Sequence, residues 1–271
     1  LEERKTAINA AVLEAKLAAE AVDVTIPGQT VTLGHQHPMN QVLQQIKDIF
    51  VGLGYQVVDG PEVELASYNF TRLNIEEGHP SRDRSDTFYF TDDDSILLRT
   101  QTSSMQIRVM ENAKPPICIL APGRVYRNEA TDARHERAFF QYEALIVDKN
   151  LTFTAGKVMI KSILQKVFGK DVPIRMREGF FPFVEPGFEI DMGCQVCGGK
   201  GCSVCKGVGW IEVMPGGTPH PNVLRAAGLD PDEYTGFYVN IGLDRMVMMR
   251  SGVDDVRLFH SGDLRFLQQF R

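Results

Sequence analysis

From Tyr55 to Ile241, short β-favouring runs follow one another without the regular strand–helix–strand alternation that a doubly wound parallel sheet requires. The candidate strands are 55–61, closed by Gly60-Pro61, then 87–90, 96–99, 117–120, 124–127, 144–147, 174–177 and 236–241. Helices are expected at 103–112, 154–168 and 243–251, each opening near a Ser, Thr or Gly. Another follows His37-Pro38, where Met39, Val42, Leu43, Ile46, Ile49, Phe50 and Leu53 keep helical spacing until Gly54. Strands crowd the middle with helices scattered between them, so the expected class is α+β: an antiparallel sheet flanked by helices.

Residues 1–22 are rich in Ala, Leu, Glu and Lys and hold no Gly or Pro, which favours a helix. This segment reads as the end of a helical arm, with one catalytic domain spanning 23–271. The chain opens at Leu1 rather than Met, as a piece of something longer would. No run approaches the ~18 apolar residues of a membrane-spanning helix, and no signal-peptide pattern opens the chain, so a cytoplasmic location is expected. With 29 basic and 35 acidic residues the net charge is −6, which argues against nucleic acid gripped over the whole surface. A basic partner or a local patch remains open. Cys118, within Ile117-Cys118-Ile119-Leu120, reads as a buried strand residue rather than a nucleophile.

Gly123-Arg124-Val125-Tyr126-Arg127-Asn128-Glu129, a polar loop, and then Phe139-Phe140-Gln141-Tyr142-Glu143 form a strand, a charged loop and a returning strand. A hairpin register sets Arg127 on a strand beside Gln141 and Glu143, so a cation and an anion would face one pocket. Arg134, His135 and Arg137 in the loop are suited to clamping a polyphosphate. The plainer reading is a solvated hairpin with surface ion pairs. Gly242-Leu243-Asp244-Arg245-Met246 then opens an apolar helix, and an Arg in a first turn is unfavourable beside the positive end of the dipole unless an anion offsets it. The plainer reading there is an Arg reaching solvent or a carboxylate.

Cys194, Cys197, Cys202 and Cys205 belong to an eight-residue unit written twice. Two CxxC turns four residues apart, each followed by glycine, suit a tetrahedral structural Zn²⁺ in a hairpin at 194–209. Free or disulfide-linked cysteines are the alternative, disfavoured in a reducing compartment.

Arg127-Asn128-Glu129 resembles motif 2 of the class II aminoacyl-tRNA synthetases, Gly242 to Arg245 resembles motif 3, and Gly54 to Pro61 resembles the motif 1 strand that ends in proline. Tyr68-Asn69-Phe70, His79-Pro80, Asp86-Thr87-Phe88-Tyr89, Leu98-Arg99-Thr100, Phe181-Pro182-Phe183, Glu185-Pro186, His220-Pro221-Asn222 and Asp263-Leu264-Arg265 are similar in identity and order to the bacterial phenylalanyl-tRNA synthetase alpha subunits. The resemblance covers nearly the whole chain. It implies a class II sheet that activates phenylalanine with ATP and passes it to tRNA(Phe). Arg127 would hold the α-phosphate and the substrate carboxylate, and Arg245 the γ-phosphate, with Glu129, His135 and Arg137 also at the nucleotide. Phe139 would stack on adenine. Gln141 and Glu143, helped by Ser103, would receive the ammonium, with Gln101, Tyr238 and Asn240 also around the amino acid. Phe181 and Phe183 would meet its ring edge-on. Mg²⁺ would accompany ATP and lie at Glu185, shared with the beta subunit of an α2β2 heterotetramer.

Three departures stand out. Gln101 replaces a usual His, Phe140 replaces another, and the motif 3 strand, usually Gly-Phe-Ala-Phe-Gly, reads Gly236-Phe237-Tyr238-Val239-Asn240. Two small pocket residues thus become Tyr238 and Asn240, on one face of a pleat. Two rival readings follow: a paralogue that adenylates or binds another small molecule without charging tRNA, and a zinc-hairpin binding module like that of J-domain co-chaperones.

Overall fold

The computed structural model describes residues 1–29 and 34–270 and divides into two units, Leu1–His35 and Gln36–Arg271. In the first unit, helix α1 (Glu2–Ala19) sets Glu2 and Glu3 in its first turn and Lys16 in its last, complementing the macrodipole. None of its residues is buried. Among the described residues, no helix is long and apolar enough to cross a membrane.

The second unit runs α2 (Pro38–Gly52), β1 (Gln56–Val57), β2 (Val63–Leu65), α3 (Ala66–Asn69), β3 (Ile96–Leu98), α4 (Ser104–Met110), β4 (Ile117–Tyr126), β5 (Ala138–Asp148), α5 (Phe153–Phe168), β6 (Ile174–Glu178), β7 (Val184–Gly193), β8 (Trp210–Pro219), α6 (Pro221–Ala226), β9 (Thr235–Gly242), α7 (Leu243–Ser251), α8 (Arg257–His260) and α9 (Leu264–Leu267). Seven strands form one sheet in the order β1-β4-β5-β9-β8-β7-β6, antiparallel except where β1 meets β4, and β2 pairs with β3 apart from it. The expected α+β class with an antiparallel sheet and a cysteine-bearing hairpin is what forms.

Each face of the sheet has its own core. On one, Tyr142 and Ala144 pack under α2, α5 and α7 with Phe50, Ile160, Ile163, Phe237 and Met246. On the other, Leu145, Val147 and Tyr238 pack with Phe70, Leu97, Ile107 and Leu224. α2 presents Met39, Val42, Ile46 and Phe50 at helical spacing to the first core and is capped by His37, whose Nδ1 accepts from the Met39 amide at 3.2 Å.

Several sequence expectations change. The runs 117–120 and 124–127 are one strand that continues through Pro122-Gly123. Gly123 fits because the buried Arg99 guanidinium passes there: a Cβ would stand 2.0 Å from its Nη2. The segment 55–61 pairs only over Gln56–Val57, and 87–90 is not a strand. Thr87 is drawn into a turn, its hydroxyl donating to the Ser81 carbonyl and its amide to the Asp83 carbonyl, which leaves Tyr89↔Leu97 as a lone bridge. Cys118 does lie in β4, but half-buried. β7 and β8 are absent from the expected strands because Glu185-Pro186-Gly187 and Pro215-Gly216-Gly217 read as breakers. They instead mark a register shift between Val184 and Gly187 and a backbone crossing so close that a Cβ on Gly217 would lie 2.4 Å from the Pro186 carbonyl oxygen.

Candidate active site

The second core gives way along β5 and β9 to polar side chains on the same face. Gln141 and Glu143 precede Leu145 at alternate positions, and Asn240 lies directly opposite Glu143 just as Tyr238 lies opposite Leu145. Two cavities open at this end. The first, about 210 Å³, is lined by Arg127, Glu129, Arg134, His135, Phe139, Gln141, Asn240 and Arg245 among others. The second, about 430 Å³, is lined by Phe70, Ile75, Thr100, Gln101, Phe181 and Phe183, and again by Arg127 and Glu129. Arg127 and Glu129 are thus the wall that both share.

Arg127 is the first residue past β4, held by its amide donating to the Arg137 carbonyl at 2.8 Å. Its guanidinium lies 5.2 Å from the Phe139 ring centroid and is open to the cavities. Desolvation by the surrounding walls holds it below the usual arginine range. Glu129 opposes this and the nearby positive charge of Arg245 adds to it. Arg245 stands in the first turn of α7, where its Nη1 donates to the Glu212 carbonyl at 3.1 Å and to no carboxylate. Next to it Asp244 is spoken for: its carboxylate accepts from the Phe140 amide at 2.8 Å and meets His260 Nε2 at 2.6 Å. In the loop, His135 is tied through Nδ1 to Asp132 at 2.9 Å.

Four expected site residues stand elsewhere. Arg137 does not line the first cavity: its Nε donates to the Glu129 carbonyl at 3.1 Å, which turns the side chain outward, and Arg134 lines the cavity in its place. Ser103, Glu143 and Tyr238 lie behind the cavity walls. Glu143, 1% exposed, is a hub that accepts from Ser103 Oγ at 2.7 Å, Gln106 Nε2 at 2.9 Å and Asn240 Nδ2 at 2.7 Å. Desolvation pushes it up to about 7, against the pull of Ser103, Gln106 and Tyr238. Tyr238 fills the space between Ser103, 3.4 Å from its hydroxyl, and Phe183, whose ring it meets edge-on at 5.6 Å. Phe181 and Phe183 are stacked on each other with centroids 5.9 Å apart. Gln101 is buried at the cavity wall, its Nε2 donating to the Asn69 carbonyl at 3.2 Å.

Of the loop cations that sequence suggested for a polyphosphate, Arg134 and His135 line the first cavity, while Gln106, Glu136 and Glu212 were not anticipated. Gln106 was within reach, since α4 sets it one turn from Ser103 on the same face. Glu212 lies on a strand that sequence did not reveal.

At the end of the β7–β8 hairpin, Cys194, Cys197, Cys202 and Cys205 bring their sulfurs within 4.8 Å of one another. The Cys194–Cys202, Cys197–Cys205 and Cys202–Cys205 pairs are 3.8 Å apart, too far for a disulfide and equal to the edge of a tetrahedron with metal–sulfur bonds of about 2.3 Å. Desolvation opposes ionisation of Cys205, but amides from Cys202 and Gly209 outweigh it and pull that thiol down to about 6. The set is suited to hold a metal ion. Glu185 lies at the opposite end of β7, mostly exposed, with His220 Nε2 3.1 Å from its carboxylate.

The family of class II tRNA synthetase core domains (F) matches residues 21–270. The phenylalanine–tRNA ligase alpha subunit of Bacillus cytotoxicus is 50% identical over 273 residues, covering 100% of this chain and 79% of that protein. The protein of the same name from Bacillus cereus strain B4264 is likewise 50% identical over 273 residues, and that of Bacillus cereus strain AH187 is 49% identical. The chain belongs to the class II tRNA synthetases. Within them it falls in the family of the phenylalanine–tRNA ligase alpha subunits.

Proposed function

We propose that this chain activates phenylalanine with ATP and transfers it to tRNA(Phe), as the catalytic alpha subunit of a cytoplasmic α2β2 phenylalanine–tRNA ligase. The observation that carries this reading is the wall shared by the two cavities. A nucleotide in the first and an amino acid in the second would lie on either side of Arg127 and Glu129, which line both. Adenine stacks on Phe139, Arg245 takes the terminal phosphate, and Arg127 spans the α-phosphate and the substrate carboxylate. A carboxylate oxygen attacks the α-phosphorus, the bond to the bridging oxygen breaks, and diphosphate leaves with that electron pair. Arg127 stabilises the charge that gathers on phosphorus, so the chain contributes positioning and electrostatics. The ring lies against Phe181 and Phe183 with Gln101 beside it. The ammonium reaches past Arg127 to Gln141 and Asn240 on the first cavity's side, and Glu143, itself held by Ser103, fixes Asn240 from behind.

Mg²⁺ bound with ATP supplies neutralisation of the phosphate oxygens, and the exposed Glu185 offers a hard oxygen donor for a second ion at the beta subunit. Zn²⁺ fits the four sulfurs in number, spacing and softness, and its part is to fold a hairpin too short to bury a core. The relatives' subunit name supports a beta partner, and a net charge of −6 supports its carrying much of the tRNA contact.

Tyr238 and Asn240 favour a second reading, a site whose amino-acid preference has moved. Both fill space next to Phe183 and Glu143 that a substrate ring would otherwise enter. Amino-acid-dependent ATP–diphosphate exchange on the complete enzyme, run with each amino acid, separates the two. Phenylalanine giving the highest kcat/KM supports the first reading and another amino acid doing so supports the second. Exchange with none would remove both.

A further inference from the structure

The two units of the cysteine hairpin adopt nearly the same backbone. At the position after the second cysteine of each pair, Gly198 has φ 61° and Lys206 φ 52°, and the following Gly199 and Gly207 have φ 83° and 78°. Left-handed backbone is free for glycine and unfavourable for lysine. Lys206 therefore occupies a position that glycine fills in the first unit, and it supplies no sulfur to the metal set.

What distinguishes the two positions is what they face. Lys206 lines a further cavity of about 250 Å³ between the hairpin and the nucleotide cavity, and the two cavities share Arg134, His135, Glu212 and Arg245. Among the described residues, Arg127, Arg134 and Lys206 form no ion pair, and Arg245 bonds only a carbonyl. The one carboxylate in the lining of the further cavity is Glu212. In the further cavity Arg134, Lys206 and Arg245 face the single carboxylate of Glu212, so these cations repel one another until an anion joins them.

We propose that this cavity is a subsite for inorganic diphosphate, through which it binds and leaves, and that Lys206 is the cation the cysteine hairpin contributes to it. The proposal rests on the reading that ATP occupies the first cavity. Diphosphate departs from the α-phosphorus carrying the bridging oxygen and several negative charges, so the next cations along its path are the groups that would hold it. The hairpin thereby becomes part of the reaction's exit rather than a distant staple.

The test is calorimetric titration of inorganic diphosphate, AMP and phenylalanine into the complete metal-loaded enzyme, in the wild type, Lys206→Gly and Lys206→Arg. Lys206→Gly relieves the left-handed strain, so its thermal midpoint should stay level or rise. Its diphosphate affinity should fall about tenfold, as loss of one charge-assisted contact implies, while Lys206→Arg stays within about threefold. AMP and phenylalanine should bind both variants as they bind the wild type. Unchanged diphosphate affinity in Lys206→Gly overturns the proposal, and so does an equal loss for all three ligands, which would mark a structural role. If AMP and phenylalanine do not bind even the wild type while diphosphate still depends on Lys206, the proposed activity falls and the anion subsite stands.

Discussion

The hairpins β4–β5 and β7–β8 belong to one sheet, and each carries a buried carboxylate and ends in a polar loop, but they satisfy these groups in different ways. On β7, Asp191 accepts from Arg175 and Arg177 of β6 at 2.7–2.9 Å, and those bonds hold it below the usual carboxylate range despite burial. On β5, Glu143 has only neutral donors in contact and is pushed up to about 7 by desolvation. The loops differ likewise. Four sulfurs gather the loop at 194–209, whereas the loop of the β4–β5 hairpin is held by Asp132, which accepts from Arg134, His135 and the His135 ring, and among the described residues it leaves Arg127 and Arg134 without an ion pair. In one hairpin the buried carboxylate is matched by two cations of the neighbouring strand and the loop is gathered by its sulfurs. The other keeps uncompensated charge of both signs, the state expected of a site whose missing charges arrive with the substrates.

The largest effect should come from removing the metal proposed for the β7–β8 hairpin. Apparent Zn²⁺ affinities of such sites correspond to about 10–16 kcal/mol, so chelation or Cys197→Ser should cost several kcal/mol and disorder 194–209. Metal analysis should give one Zn²⁺ per chain, and hydrogen exchange after chelation should lose protection at 194–209 while 117–148 keeps it. Protection that survives complete metal removal would show that the hairpin folds on its own, and the contrast between the two loops would fail.

The unpaired cations allow the opposite test. Arg127→Ala and Arg245→Ala should each remove about 3 kcal/mol of transition-state stabilisation, roughly a 10²-fold loss in exchange rate, because each would lose a contact to developing phosphate charge. Among the described residues neither belongs to an ion pair, so the thermal midpoint should move little. Near-normal exchange in either variant would break the assignment of the first cavity.

The two hairpins are also unequally legible in sequence. β4, β5 and β9 each hold a short apolar run, although Pro122-Gly123 splits β4 in the sequence, and α7 follows directly from Gly242, so local pattern places the elements that carry Arg127, Gln141, Asn240 and Arg245 to within a few residues. It does not place β7 and β8, because proline and glycine there answer to a close crossing of the two paired backbones rather than to a local turn. Alternation along β5 puts Gln141 and Glu143 on one face, as found. It says nothing about depth along the strand, and depth is what makes Gln141 a wall and Glu143 a hub. For Arg137 against Arg134 the sequence holds no signal. In an irregular loop, which of two nearby arginines turns inward depends on a backbone carbonyl that only the fold supplies.

The smallest and most specific effect concerns the buried carboxylates. A carboxyl whose pKa rises from 4.5 to about 7 on folding binds more protons in the folded chain between those values, so its contribution to stability declines as pH rises through that window, by at most about 1.4 kcal/mol per unit. For Asp191, lowered from 3.8, the folded chain binds fewer protons, and its contribution is present above 3.8 and lost as pH falls through the folded value. Glu143→Gln keeps a neutral side chain of the same shape at every pH. Relative to that variant, the wild type should lose about 2 kcal/mol between pH 5 and pH 8 in denaturant unfolding, whereas Asp191→Asn should shift stability uniformly over the same range. A bound ammonium would repay the Glu143 cost by favouring its ionised form. Amino-acid binding near pH 6.5 should therefore release protons, visible as calorimetric heats that differ between buffers of different ionisation enthalpy. Binding without proton release, together with a flat difference between wild type and Glu143→Gln, would mean that Glu143 stays ionised throughout, and the charge contrast between the hairpins would disappear.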